Sequence, residues 1–489
     1  MQRALFWIVF LGNLENQLYM KKLFLILFLF IYIAGVSQFT QKDYTSVFEK
    51  FQTDFNNNHL DKIIASFSPE TSTPTAKIKP ALETLRSTFG NIESFRFVRF
   101  DPDSSAIIKI IFDYSVMGVQ LSLDKDNKIK KISIRPFKDF DNSNSGKLLV
   151  NNLSSSGKKI SEEQLKYVFE YAKSFPNNSQ LSIALINEGE PTFYGILKRN
   201  DTLHYQENQK AQFEIGSLTK VFTSTILAEK IIENELNLDD NVFDILKMKP
   251  SYEISLLSLA NHTSGLPRLP SNLDLTTVDQ ENPYKDYGEN ELQTYLQGDL
   301  SFLQTTPKKY QYSNLGTGLL GYVLTKSSNQ SLESLLHKYV FSKYDMTSST
   351  TDKSKALQLV KGRNKKGMIT KNWDMGVLAG AGAIISNVDD LSKFVLAQFD
   401  RNNITLNKTR EKTTKANSTM DVALGWHIRK SNDQKPWFWH NGGTGGYTTS
   451  LTFNPVTKNG VIILSNVSAF HPKMSSIDRL NFRLMETLD

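Results

Sequence analysis

At 489 residues, 39% hydrophobic and 22% charged, the chain is long enough for two domains and has the composition of a soluble globular protein. It has no cysteine, which excludes disulfides, thiolate chemistry and a lipid-anchored cysteine. Its net charge of +7 comes from scattered lysines with no basic segment interleaved with aromatics, so a solvated basic surface is expected and no nucleic-acid partner.

The N-terminus carries an address. Met20-Lys-Lys is followed by an uncharged apolar run from Leu23 to Val36 and then by Ser37-Gln38. A positive start, an apolar core and a small-residue exit predict a secretory signal peptide cut near Ser37/Gln38, and hence a periplasmic or secreted protein. The run is short for a membrane span, so membrane contact is expected only through this segment if it stays uncleaved. A second apolar patch, Leu5 to Leu11, precedes the charged start. Residues 1–37 are therefore assigned to the signal region, with Met20 as the expected initiator.

Residues 40–138 predict a small α+β unit. Tyr44 to Asn56 puts Val47, Phe48, Phe51 and Phe55 on one helical face, and Leu60 to Phe67 and Pro80 to Phe89 repeat the pattern. Alternating strands follow at Ile92 to Phe100, Ala106 to Tyr114, Val119 to Leu123 and Ile129 to Ile134. Helices followed by a curved antiparallel sheet resemble the NTF2-like fold, which implies an accessory or binding module. Asp101, Asp103 and Asp113 are expected to be loop or edge charges rather than ligands.

Residues 139–159, rich in Asn, Ser, Gly and Lys, predict a linker, and residues 160–489 a second domain. Ser161 to Phe175 reads as an opening helix, and Leu181 to Ile186 with Pro191 to Ile196 as a hairpin. At the far end, Trp437 to His440, Tyr447 to Phe453 and Gly460 to Ser465 read as strands, with a closing helix from Met474 to Leu488. Strands at both ends with helices between predict α+β architecture: one antiparallel sheet closed by the chain termini, flanked by helices, plus a helical lobe. The groove where sheet and lobe meet is the expected site.

Three stretches carry chemistry. Phe213-Glu-Ile-Gly-Ser-Leu-Thr-Lys220 opens an apolar helix, with Ser217 expected in its first turn and Lys220 one turn on, on the same face. A serine hydroxyl is a poor nucleophile without a base or cation beside it, and Lys220 supplies one. Ser155/Lys158 and Ser156/Lys159 share the spacing but stand in the linker, with no apolar helix behind them. Tyr312-Ser-Asn314 precedes a second apolar helix, Leu315 to Lys326. A phenol near cations can act as a base, and an amide two residues on can hold a lysine and a substrate amide together. His440-Asn-Gly-Gly-Thr-Gly-Gly-Tyr447 ends an aromatic strand, and its glycines admit a substrate backbone. The run precedes a strand and lacks Lys-Ser/Thr, so it is not a phosphate loop. The seven histidines show no paired ligand spacing, so no metal and no cofactor are expected.

In this order, Ser217-Leu-Thr-Lys220, Tyr312-Ser-Asn314 and His440-Asn-Gly442 resemble the three motifs of the serine β-lactamase and penicillin-binding superfamily, in the manner of the class C β-lactamase-like group. Leu256-Leu-Ser-Leu-Ala-Asn-His-Thr-Ser-Gly-Leu-Pro267, Gly380 to Leu391 and Leu424-Gly-Trp426 support it. The resemblance implies Ser217 as the acylated nucleophile, Lys220 as its activator and Tyr312 as the proton carrier. Asn314 would orient Lys220 and the substrate amide, and His440 would mark the third motif. The oxyanion hole would be built from the backbone N–H groups of Ser217 and Gly443, beside Gly442. Class C β-lactamases carry Lys-Thr-Gly at the third motif; a histidine there weakens a fixed charge for a substrate carboxylate. The expectation is an exported serine hydrolase acting on a small-molecule or peptide substrate, with D-Ala peptides of the cell wall first. A carboxylesterase, a β-lactamase and a non-catalytic binder of cell-wall peptides or penicillin are the alternatives.

Overall fold

The computed structural model describes residues 39–71, 74–101, 103–113, 116–137, 150–154, 160–249, 252–298, 300, 309–430 and 435–489. The expected signal segment, most of the expected linker and the pairs Ser155/Lys158 and Ser156/Lys159 lie outside the described residues. The chain divides into two units, Met1–Gly146 and Lys147–Asp489.

In the first unit, helices Gln41–Asn56, Leu60–Ala65 and Thr75–Phe89 precede an antiparallel sheet of β1 (Ile92–Phe100), β2 (Ala106–Phe112), β3 (Val116–Leu123) and β4 (Ile129–Pro136), ordered as in the chain. Tyr44, Phe48, Phe51 and Phe55, spaced three and four apart, share one core with Ile108, Ile110 and Phe112. Phe55 meets Phe112 edge-on at 6.0 Å. The third helix starts five residues before Pro80, which the sequence had marked as its opening. The buried side chain of Ile78 anchors the extra turn, and the helix tolerates the proline. Asp101 accepts from Arg99 Nε at 3.2 Å and Asp103 from Ser105 N at 3.1 Å, both within their own turn, while Asp113 accepts from Asn91 N at 2.9 Å just before β1.

The strands of the second unit are β5 (Val150–Asn152), β6 (Gln180–Asn187), β7 (Glu190–Arg199), β8 (Thr202–Tyr205), β9 (Phe213–Glu214), β10 (Ile385–Ser386), β11 (Thr414–Asn417), β12 (Met420–Val422), β13 (His427–Lys430), β14 (Pro436–Gly443), β15 (Thr448–Asn454) and β16 (Asn459–Ser465). Ten form one sheet in the order β11-β12-β13-β14-β15-β16-β6-β7-β8-β5, while β9 pairs with β10. All neighbours in the large sheet are antiparallel except β5 and β8. The β16–β6 pairing joins the two ends of the unit.

Both faces of the central strands are covered, which explains their unbroken apolar runs. Leu181, Ile183, Val461 and Ile463 share a core with Leu165 and Val168 of helix Glu162–Ala172 and with Ile477, Leu480 and Leu484 of helix Ser476–Glu486. Their sequence neighbours Ala184, Ile186, Ile462 and Leu464 face the helical lobe instead. Ser161 starts the first of these helices with a reciprocal cap, accepting from Gln164 N at 3.1 Å while Gln164 Oε1 accepts from Ser161 N at 2.9 Å. At the centre of the lobe, helix Thr219–Ile232 is buried on every side from Thr219 to Lys230.

Two boundaries differ from the sequence reading in ways that shape the site. Ser217 precedes the α-helix and sits on a single 3₁₀ turn, Gly216–Leu218. His440 lies inside β14 rather than at its end, because Gly442 and Gly443 continue the ladder opposite Thr449 and Thr448. A glycine run reads as a loop in sequence. Here it is strand, since a Cβ at Gly442 would strike the Ile215 carbonyl.

Candidate active site

The site begins with the turn that presents Ser217. Gly216 has φ +51°, a left-handed conformation that side chains disfavour, and a Cβ there would lie 2.5 Å from the Gly443 nitrogen. This close approach places Ser217 beside β14. On its other edge, β14 pairs with β13 only as far as Trp439, so among the described residues His440 to Gly443 have a strand partner on one side alone. An unpaired stretch of strand next to the serine offers backbone groups to an incoming chain.

Lys220 follows one turn later and is fully buried. Its Nζ donates to Ser217 Oγ at 3.0 Å and to the Ala381 carbonyl at 2.7 Å. That carbonyl belongs to a segment tied to the same helix: Thr223 Oγ1 donates to Gly380 O at 2.8 Å, and Ile384 N to Thr219 Oγ1 at 3.1 Å. Tyr312 comes from the segment before helix Asn314–Ser328; its phenol is hydrogen-bonded to the Ser217 side chain, and its ring centroid lies 5.1 Å from Lys220 Nζ.

Burial sets the protonation of this trio. It pushes the Lys220 amine well below its ordinary range, helped by the positive charge of Arg268. It pushes the Tyr312 phenol up to about 12, against the opposing effects of the Ser217 hydrogen bond and Arg268. An ammonium with a phenolate and an amine with a phenol hold the same number of protons, and a desolvated site favours the uncharged pair. The sequence reading let the Tyr312 phenol lose its proton far below its free value; burial moves it the other way, so the phenol keeps its proton at pH 7, and burial likewise disfavours the Lys220 ammonium.

Three histidines surround the tyrosine. Ring centroids lie 4.5 Å from Tyr312 for His262, 6.4 Å for His427 and 6.2 Å for His440, and His427 and His440 are 5.1 Å apart. Burial lowers His262 and His440 well below the usual imidazole range and brings His427 to about 4. All three are neutral at pH 7. His440 Nδ1 lies 2.6 Å from the Asn441 carbonyl, which can only accept, so Nδ1 carries the proton. The lone pair is then on Nε2, a buried atom with no partner. Asn441 is itself held by Asp478, with Nδ2 2.7 Å from Oδ2.

Asn314 departs from its expected role. The Ala381 carbonyl already occupies Lys220, and the Asn314 side chain is hydrogen-bonded to the Tyr284 phenol instead. Its Oδ1 is buried without a partner. Two buried acceptors on the second and third motifs therefore stand unpaired: Asn314 Oδ1 and His440 Nε2. An unpaired buried acceptor costs free energy unless something brought to the site satisfies it.

The structure thus brings Ser217, Lys220, Tyr312, His440 and Gly443 together and seats Asn314 at the N-terminus of the adjoining helix. The sequence alone did not single out His262, His427, Arg268 or Ala381. One backbone signal marks His262, which holds φ 62°, a left-handed conformation unusual for a residue with a side chain. His427 follows directly on Trp426, where Gly425 (φ +76°) leaves a Cβ only 2.9 Å from the Lys220 carbonyl. Among the described residues, no group of histidines and carboxylates is arranged to hold a metal ion.

Against known proteins, the family model described as Beta-lactamase matches residues 177–484. A Beta-lactamase of Providencia stuartii is 28% identical over 224 residues, which cover 44% of this chain and 54% of the relative. The chain thus spans about half the length of that relative. Among solved structures, the class C beta lactamase from Rhodobacter sphaeroides aligns with a TM-score of 0.56 at 18% identity, covering 67% of this chain and 99% of that one. The D-alanine carboxypeptidase AmpC from Burkholderia cenocepacia aligns with a TM-score of 0.55 at 18% identity, covering 66% and 98%. At such identities the structural likeness speaks for the fold.

Proposed function

The chain belongs to the beta-lactamase family, a family of serine hydrolases, and from that premise we propose that it is an exported enzyme that acylates Ser217 and acts first on D-Ala-type peptides. The observation that carries the reading is the 3.0 Å contact between the Ser217 hydroxyl and a fully buried Lys220, whose ammonium form burial disfavours. In the proposed cycle the Lys220 amine takes the Ser217 proton as Oγ attacks the substrate carbonyl carbon. The negative oxygen that forms is received by the backbone N–H groups of Ser217 and Gly443. The Tyr312 phenol passes a proton to the leaving group and recovers one from the Lys220 ammonium, so the acyl-enzyme forms with no net proton change. Water then repeats the sequence in reverse, and Oγ leaves with the proton returned to it.

Peptides are favoured over simple esters by the unpaired acceptors Asn314 Oδ1 and His440 Nε2, since a peptide brings N–H donors and a small acyl ester brings none. The neutral His440 supports a second reading, a carboxylesterase, because the third motif offers an uncharged substrate no mismatched cation. The same neutral ring argues against efficient β-lactam turnover. Export is proposed from the Met20 to Gln38 segment, and an accessory, NTF2-like role for the first unit from its helix-then-sheet pattern. We expect a small-molecule or peptide partner, no nucleic acid and no cofactor.

A fluorophosphonate or fluorescent penicillin should label the wild-type protein, and Ser217→Ala should abolish the label. Label that survives the substitution moves the nucleophile elsewhere. A chromogenic cephalosporin, a p-nitrophenyl ester and a D-Ala-D-Ala peptide assayed side by side separate the readings.

A further inference from the structure

We propose that Arg268 is the carboxylate-recognition residue of this site, supplying from the Pro267–Arg268 loop the positive charge that the third motif lacks. The inference deepens the serine hydrolase reading and rests on it.

Its guanidinium carbon lies 5.3 Å from the centroid of the Tyr312 ring, so the group stands over the phenol that touches Ser217. The backbone beneath it is fixed to the second motif at three points. Ser313 Oγ donates to Pro267 O at 2.6 Å, and Arg268 O accepts from Asn314 N at 3.0 Å and from Leu315 N at 3.1 Å. A loop tied this way moves with Tyr312 and Asn314, and its long side chain keeps a constant relation to the reacting serine. Helix Asn314–Ser328 points its N-terminus at the same place, adding the positive end of its dipole.

Position and charge in the cleft isolate Arg268. His262, His427 and His440 are uncharged at pH 7 and Lys220 is fully buried against Ser217 and the Ala381 carbonyl, which leaves the guanidinium as the exposed permanent cation beside Tyr312. Arg268 is exposed, and among the described residues no carboxylate forms an ion pair with it. Its field is nonetheless felt inside: it contributes to the shifts at Lys220, His262, Tyr284, Tyr310 and Tyr312. An arginine with five donors, stacked on an aromatic face and free of an internal acid, is built to take a carboxylate in its fork. The substrate it selects carries that carboxylate within a side chain's reach of the scissile carbonyl, as the C-terminal group of a short peptide does. The unpaired acceptors Asn314 Oδ1 and His440 Nε2 would take the N–H groups of the same peptide.

The test uses a D-alanyl thiolester of mercaptoacetic acid and the methyl ester of the same compound, which differ only in that carboxylate, with thiol release as the readout. The wild type should prefer the acid. Arg268→Ala should lower the ratio of kcat/KM for acid over methyl ester roughly 10–100-fold, as loss of a charged hydrogen bond does, mainly through KM. Arg268→Lys, which keeps the charge and loses the fork, should fall between. Fluorophosphonate labelling of the wild type is run beside it. If Ser217 labels but the ratio is unchanged in Arg268→Ala, or the wild type does not prefer the acid, the role of Arg268 is overturned and the hydrolase reading stands. If Ser217 does not label, both fall.

Discussion

The two units of this chain treat ionisable side chains in opposite ways. In the first, carboxylates such as Asp103 and Asp124 sit at the surface, held low by hydrogen bonds from Ser105 and Ser68 and from nearby backbone, and lysines such as Lys79 and Lys130 meet surface acids at 3.0 Å. Its core is a stack of phenylalanines and aliphatic side chains. In the second, Lys220 and three histidines are buried with no acid paired to them among the described residues, and burial disfavours the charged form of each. Burying an amine forfeits the hydration its ammonium would enjoy in the unfolded chain. Folding gains nothing from that choice, so the cluster marks where the molecule uses stability for chemistry.

The comparison breaks most decisively at Lys220. Replacing it by Met, which fills similar space without a charge, should lower kcat/KM roughly 10²–10⁴-fold by removing the base. Stability should move the other way. Between its lowered folded-state pKa and about pH 10.5 the unfolded chain holds a proton on this lysine that the folded protein does not, so stability rises with pH across that window and is depressed below it. Lys220→Met removes that slope and should raise the urea midpoint at neutral pH. A variant that is both inactive and less stable would mean that the lysine is charged and satisfied in the folded state.

A smaller loss is expected at Gly216. An alanine there meets both an unfavourable φ of +51° and a Cβ position 2.5 Å from the Gly443 nitrogen. Ser217 and Gly443 would separate, and the rate should fall on the order of 10²-fold, as when one oxyanion donor is lost. The stability cost should be about 1–2 kcal/mol, the usual penalty of a left-handed residue with a side chain. Activity that survives intact would remove Gly443 from the proposed oxyanion hole.

The histidines sharpen the comparison through pH. His427 titrates near 6.5 in an unfolded chain and near 4 when folded, so the unfolded state gains a proton first as the pH falls. The stability it supports is fully present above about pH 6.5 and is lost progressively down to pH 4, by at most about 3 kcal/mol. His427→Gln, which keeps a hydrogen-bonding partner for Tyr310, should flatten that part of a pH series of urea melts. A series with the same acid slope in the variant would assign the loss to other groups.

The sequence made the two units legible to different depths. Spacing of Phe48, Phe51 and Phe55 exposed the first unit's helix, and period-two runs exposed its strands, since an aromatic core leaves a strong pattern. Ser217 and Lys220 were visible because one helical turn relates them. Their protonation was not, because it depends on burial by the folded lobe and on the charge of a residue as distant as Arg268. His262 and His427 escaped because no sequence spacing links them; they converge only when β13 pairs with β14 and the Leu256–Pro267 segment packs against helix Asn314–Ser328. Gly442 and Gly443 read as loop because glycine patterns carry no side-chain period. The short strands β8 and β11 to β13, four residues or fewer, are too brief to announce themselves.

The smallest expected effect lies in the first unit itself. Every member of the cluster around Ser217, from Lys220 to His440, is drawn from the second unit, and that unit has cores of its own on both faces of its large sheet. Removing residues 38–140 should therefore change hydrolysis of a small ester by no more than about twofold, as expected of a domain that folds independently. The same deletion assayed on an intact cell-wall polymer is the informative arm. An accessory module that holds large substrates would lower activity on the polymer while leaving the small ester alone. Equal loss on both substrates, in a fragment that still melts cooperatively, would bring the first unit into the chemistry and erase the contrast between the two halves.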